Sequence, residues 1–215
     1  MSQVTVLGAT GYTGSRIVAE LLRREHQVVA LARGAGELEA APALTVLVGS
    51  VYEPGVISRA SAGSEVIVSA LRGVTADGHQ LIEVLQELLS VAGAEGARLG
   101  VMGGAGSLQT TPGGPLLVET PDFPAAAKPE STAQRAVLDA LRGTDADVDW
   151  FYVSPGASYG QDRTPHRTGE FRIGNDVLLV DADGRSTISA EDLAVAVVNE
   201  IERPAHHRER FTVSY

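Results

Sequence analysis

The feature that most constrains the fold is a glycine triplet, Gly8, Gly11 and Gly14, set between an apolar run and an amphipathic one. Val4, Val6 and Leu7 read as a short buried strand. Ile17, Val18, Leu21 and Leu22 follow at i, i+1, i+4 and i+5, the pattern of one helix face. Gln27 to Ala32 reads as a second strand. Strand, glycine turn, helix and strand come in order within about thirty residues, the span of a dinucleotide-binding βαβ unit. Gly8 allows a sharp exit from the strand. Gly11, without a Cβ, allows close approach of a diphosphate, and Gly14 allows tight packing of helix on strand. Thr10, Tyr12 and Thr13 fall in the same turn, where first-turn N–H groups and the helix dipole favour an anion.

The end of the second strand bears on which nucleotide fits. A site for NAD(H) carries an acidic residue about twenty residues past the glycines, bonded to the ribose 2′-hydroxyl. That region reads Leu31, Ala32, Arg33, Gly34. A guanidinium binds a 2′-phosphate through two hydrogen bonds, whereas a carboxylate repels it. The expected cofactor is therefore NADP(H), with NAD(H) as the alternative and a merely solvated Arg33 as the bland reading.

The rest of the chain repeats the alternation. Leu44 to Val48 is a third strand, followed by Gly49, Ser50 and Val51 where an adenine would lie. Glu53 to Ala62 is a helix with Pro54 in its first turn. Glu65 to Ala70 is a fourth strand. Asp77 caps a helix with Leu81, Leu85, Leu88, Leu89 and Ala92 on one stripe, ended by Gly93. Ala97 to Met102 is a fifth strand, Glu130 to Leu141 a helix, and Asp147 to Val153 a sixth strand. A short helix is expected between Gly34 and Ala41. Phe171 to Ile173 and Val177 to Val180, flanking Gly174-Asn175-Asp176, read as a hairpin. Ser189 caps a last helix, with Asp192 completing a variant capping box, Leu193, Val197 and Ile201 on its buried face, and Pro204 at its end. Phe211 to Val213 adds a final strand. The fold class is α/β: a Rossmann-type doubly wound parallel sheet with helices on both faces and a small C-terminal hairpin and helix addition. Residues 1–215 are expected to form one domain.

In such sheets ligands bind beyond the C-terminal strand ends, where strand order reverses. That rule brings Ser69, Ala70 and Leu71 to the ribose and phosphates. It brings Gly103 and Gly104, and Pro155 and Gly156, to the nicotinamide. Thr110 to Pro124 is long enough for a wall or lid. Charge and composition narrow the partners. Seventeen basic and 27 acidic side chains leave a net charge of −10, which argues against nucleic acid. No apolar run approaches the roughly twenty residues of a membrane span. Cysteine is absent, so thiolate and disulfide chemistry is excluded. With no recognisable leader, the expectation is a soluble cytoplasmic protein, monomer or homodimer, acting on a small-molecule acceptor. None of the five histidines has metal-ligand spacing.

The segments GATGYTG (Gly8–Gly14), GGAGSL (Gly103–Leu108), DWFYVSPG (Asp149–Gly156) and the run from Arg167 through GRSTISAEDLAVA resemble the atypical short-chain dehydrogenase/reductase family. Within it the chain is similar to the bacterial branch provisionally called NADH-flavin reductases. The resemblance covers nearly the whole chain. It implies a Rossmann fold, a nicotinamide cofactor and hydride transfer to a flavin-like acceptor. One departure matters. Typical members of the wider superfamily use a Tyr-x-x-x-Lys dyad as proton donor. Lys128 is the single lysine here and the residue four before it is Pro124, so the dyad is absent. Pro129 biases Lys128 toward an extended backbone. Ketone reduction needs a positioned acid, whereas flavin reduction needs mainly two rings in register.

Three side chains stand as catalytic candidates beside plainer readings. Ser107 either bonds the acceptor or carboxamide, or caps its own loop. Lys128 either reaches the site or is solvated. His166 either donates a proton from an overlying loop or is a loop histidine. Tyr159 either stacks on a ring or packs. Two functional readings remain: an NADPH-dependent reductase of free flavin or a similar planar acceptor, and a non-catalytic NADP(H) sensor resembling regulators of nitrogen-metabolite repression.

Overall fold

The structure is a computed structural model that describes residues 1–215 apart from 35, 37, 39 and 161–165. Among the described residues eight strands form one sheet: β1 (Gln3–Leu7), β2 (Gln27–Ala32), β3 (Leu44–Val48), β4 (Val66–Ser69), β5 (Arg98–Met102), β6 (Trp150–Pro155), β7 (Arg172–Gly174) and β8 (Glu209–Ser214). Among the described residues five α-helices accompany them: α1 (Tyr12–Arg23), α2 (Val56–Ser61), α3 (Ile82–Glu95), α4 (Lys128–Arg142) and α5 (Ala190–Glu202). The strand order is β3-β2-β1-β4-β5-β6-β8-β7. All neighbours are parallel except β7 on β8. The first six strands therefore have the order of a dinucleotide-binding sheet, reversing direction of progression between β1 and β4.

Alternation along the strands explains the two layers. Val4, Val6, Val28, Ala30, Val66 and Val68 point to one face, where Ile17, Val18 and Leu21 of α1 meet Leu193, Val197 and Ile201 of α5. Leu7, Leu31, Ile67, Leu99 and Val101 point to the other, under α2, α3 and α4. A central parallel strand is covered on both sides, so its residues are apolar in succession rather than alternately.

Several boundaries move for identifiable reasons. α2 starts only at Val56, because Gly55 is in the left-handed region (φ 72°). α3 runs past Gly93 to a left-handed Gly96, the usual stopper. Asp77 does not cap α3: Leu81 stands at its N-cap without a side-chain cap, and Glu83 accepts from the Gln80 N–H instead (2.9 Å). Lys128 is helical (φ −58°, ψ −45°) rather than extended; the helix before Pro129 overrides the local bias. The hairpin expected over 171–180 is replaced by another pairing. Ile173 lies opposite Val213 of β8, while the Leu178 N–H donates to Gln109 O (2.9 Å). Asp176 is drawn away from the turn by Arg142 (2.6 Å) and Arg210. The short helix expected between 34 and 41 falls on a segment that includes residues outside the described set.

Half of the capping box is present at α5. Ser189 Oγ accepts from the Asp192 N–H (3.0 Å). The Asp192 carboxylate turns outward to a strap, accepting from the Thr168 and Gly169 N–H groups (3.0 and 2.8 Å) and the Tyr215 hydroxyl (2.7 Å). The same strap places Arg167 on Glu20 of α1 (3.0 Å), which also accepts from Arg23 (2.6 Å) and Arg24 (2.8 Å). Burial alone would raise the Glu20 carboxyl. The hydrogen bonds from Arg23, Arg167 and Arg24 outweigh it and hold the pKa at about 2, below the ordinary 4.5.

Two outcomes follow. Glu20→Gln removes the carboxylate that Arg23, Arg24 and Arg167 share; Arg24 keeps Asn199 and Glu202 and water reaches the other two, so the change should cost about 2 kcal/mol at neutral pH. Because the folded pKa is depressed, this contribution is complete above pH 4.5 and is lost as pH falls toward 2. Denaturant titrations of wild type and variant should converge over that window. Gly14→Ala would put a methyl carbon 2.2 Å from the Gly8 carbonyl oxygen. Overpacking of this kind should cost about 2 kcal/mol, visible as a lower thermal midpoint, whereas Ser15→Ala one position on should change it little.

Candidate nucleotide-binding cleft

The glycine turn sits on the C-terminal rim of the sheet at the reversal of strand order. Gly8 leaves β1 with φ 77°, and its N–H bonds Leu31 O of β2 (2.9 Å). A Cβ at Gly8 would lie 2.8 Å from the Ala70 carbonyl oxygen. The Gly11 N–H closes the turn on Gly8 O (3.0 Å), and Gly11 then serves as the extended N-cap of α1 with no side-chain cap. First-turn amides such as those of Thr13 and Gly14 find no acceptor within a helix. They and the dipole present positive potential at this end of α1.

Above the turn opens a cleft of about 430 Å³. Its floor is Gly8, Thr10 and Gly11; its sides are the ends of β2 (Leu31 to Gly34), β3 (Gly49 to Tyr52) and β4 (Ala70 to Arg72), with Thr75, Ala76 and Asp77 beyond. Apolar Leu31, Val51 and Leu71 suit a flat base. The cation of Arg33 stands on the rim, 71% exposed. A backbone cradle at a helix N-terminus, apolar walls and rim guanidiniums fit a dinucleotide.

Six of the residues expected at the cofactor, Gly8, Thr10, Gly11, Arg33, Ala70 and Leu71, line this cleft. Gly14 lies beneath the turn and lets α1 approach it. Tyr12 and Thr13 meet Tyr159 after β6: Thr13 Oγ1 and Tyr159 Oη are 2.8 Å apart, and the two tyrosine rings are 5.5 Å apart. Burial raises the Tyr159 hydroxyl well above its ordinary value, more than the Thr13 hydrogen bond lowers it. Ser69 is fully buried, and its Oγ lacks a hydrogen-bond partner in the protein. Its side chain thus faces the core rather than the cleft. Gly103, Gly104, Pro155 and Gly156 occupy the ends of β5 and β6, outside the cleft's lining. Gly103 is glycine for packing: a Cβ there would lie 2.0 Å from the Tyr152 ring. Gly104 faces open space and accepts from Ser154 Oγ (3.0 Å).

The three catalytic candidates are not brought together. Ser107 lies in a 3-10 turn and is buried. Its Oγ and carbonyl accept from Arg210 (2.8 and 3.1 Å), whose guanidinium also holds Asp176 (2.7 Å). Lys128 is exposed at the head of α4. His166 is exposed and stands edge-on to Tyr215, 6.0 Å away between ring centroids. None of the three lines the cleft.

Sequence reasoning missed Tyr52, Arg72 and the 75–77 wall. Tyr52 stacks on His79 with ring centroids 4.3 Å apart. Arg72 lies 3.6 Å from Glu130 of α4, and Glu130 accepts from the Gly73 and Val74 N–H groups (2.7 and 3.0 Å). The usable signal was position: Arg72 and Thr75 follow a strand end at the switch point, where loops carry ligand contacts.

Among the described residues no helix is long and apolar enough to cross a membrane. The profile of a family described as NAD(P)H-binding matches residues 8–204. The Bacillus subtilis (strain 168) protein YwnB is 34% identical over 217 residues, covering 98% of this chain and 97% of its own. A provisionally assigned epimerase from Bacteroides thetaiotaomicron is 31% identical with a TM-score of 0.89, covering 100% of this chain and 97% of its own. A provisionally assigned NADH-flavin reductase from Streptococcus pneumoniae TIGR4 is 27% identical with a TM-score of 0.84, covering 100% and 99%. With the glycine turn at the strand-order reversal and a match from the turn to the end of α5, the chain belongs to the NAD(P)H-binding family, with the oxidoreductase-type Rossmann fold of the atypical short-chain dehydrogenases/reductases.

Proposed function

We propose that the protein is an NADPH-dependent oxidoreductase that passes a hydride to a free flavin or a similar small planar acceptor. The observation that carries this reading is the cleft over the glycine turn with Arg33 on its rim. In the proposal the amides at the head of α1 hold the diphosphate, Leu31, Val51 and Leu71 flank the adenine, and Arg33 bonds the 2′-phosphate. When bound, the cofactor supplies a hydride from C4 of its nicotinamide. The ends of β5 and β6, Gly103–Gly104 and Pro155–Gly156, border the nicotinamide. Open space at Gly104 supports approach of a second flat ring.

No side-chain proton donor is assigned. The two-electron reduction would need, besides that hydride, one proton, which solvent can supply. A flavin delocalises the incoming charge over its ring system, so the chain's task is alignment and exclusion of water rather than acid catalysis. The same separation of Ser107, Lys128 and His166 from the cleft favours a second reading, a non-catalytic NADP(H) sensor. The Streptococcus pneumoniae relative's assignment favours the reductase.

The test is loss of NADPH absorbance in the presence of FMN, FAD or riboflavin. Turnover well above the rate without protein is expected, and tight nucleotide binding without turnover on any acceptor would select the sensor. Arg33→Ala should raise the Kd for NADPH about tenfold, the worth of a charge-assisted hydrogen bond, and leave NADH within twofold. Equal affinity of the wild type for both nucleotides would remove the case for a 2′-phosphate site.

A further inference from the structure

The segment after β4 is a small built flap. Val74 and Gln80 form an antiparallel bridge. The Thr75 N–H donates to His79 O (2.9 Å), and the Gly78 N–H to Thr75 O (3.1 Å), with Gly78 at φ 90°. Its base is gripped by Glu130 through the Gly73 and Val74 N–H groups. Its flank is held by the stack of His79 on Tyr52. Asp77 is at the tip. Its carboxylate faces Arg33 across the mouth of the cleft, Oδ1 to Nη1 3.9 Å. That distance is too long for a direct hydrogen bond but close enough for an ion pair, and both side chains are largely exposed.

We propose, resting on the NADPH reading, that Asp77 is a specificity-determining residue: it occupies Arg33 as a surrogate for the 2′-phosphate and must yield when a phosphorylated nucleotide binds. A dianionic 2′-phosphate brought to Arg33 comes within a few ångströms of this carboxylate and is repelled by it. A 2′-hydroxyl is neutral and can accept or donate beside either group. Asp77 thereby lowers affinity for NADP(H) without touching NAD(H), and narrows the discrimination that Arg33 alone would give. Its exposure keeps the effect modest and sensitive to salt.

The experiment is titration of purified protein with NADPH and with NADH, followed by nicotinamide fluorescence at low and at 0.5 M salt, for wild type, Asp77→Asn, Arg33→Ala and the double variant. Asp77→Asn keeps the shape of the tip and removes only its charge. It should tighten NADPH about fivefold at low salt, leave NADH within twofold, lose most of the gain at high salt, and keep in the Arg33→Ala background only the share that comes from direct repulsion of the phosphate. An unchanged ratio of NADPH to NADH affinity in Asp77→Asn, or a shift shared equally by both nucleotides, overturns the inference while leaving the NADPH reading intact. Failure of the wild type to bind either nucleotide overturns both.

Discussion

Everything at the rim of this sheet depends on how closely α1 can approach the turn that precedes it. Where Gly14 stands, a side-chain carbon would fall 2.2 Å from the Gly8 carbonyl. With hydrogen there, the helix starts directly behind the strand, and its first amides face the mouth of the sheet. The same closeness sets the position of the β4 end, because Ala70 O presses on Gly8 from the other side. One steric requirement thus fixes the cleft floor, the aim of the helix dipole and the spacing of the two strands between which ligands enter.

The fold was largely legible because its information is local and repeated. Apolar runs of strand length alternate with helical stripes, and the glycine turn before α1 and the Ser189 cap of α5 stand next to the elements they bound. What was not legible depends on residues distant in the chain. Asp77 looks like a cap because it precedes an apolar helix, yet its neighbours are Arg33 and a hairpin closed by Gln80. Residues 177–180 have the composition of a hairpin arm, but Gln109 supplies a partner from outside and Arg210 takes Asp176. Ser107 has the makings of a catalytic hydroxyl until a buried arginine from β8 bonds to it. Spacing along the chain contains no trace of these competitors.

The arginines share a pattern. Arg98 is buried at the base of the sheet against Asp149 (2.7 Å) and Glu200 (2.8 Å); Arg210 is buried against Asp176; three guanidiniums meet on Glu20. Arg98, Arg210 and Arg167 tie elements far apart in sequence, since a forked donor can serve several acceptors at once, while Arg23 and Arg24 reach Glu20 from the end of the same helix. The rim of the cleft differs: Arg33 and Arg72 are three-quarters exposed or nearly so, with carboxylates only at 3.9 and 3.6 Å. Cations held this loosely can exchange partners at little cost.

The pair of glycines after β5 carries a consequence for how this scaffold can change. Position 103 is barred to any side chain, because the Tyr152 ring, itself anchored by its hydroxyl to Gln134 O (3.1 Å), already fills the volume. Position 104 has no such occupant. New chemistry at this strand end, whether by natural drift or by engineering, therefore enters more easily at 104: the first carbon of an introduced side chain meets nothing within 4 Å there, while the same carbon one residue earlier would have to displace the core.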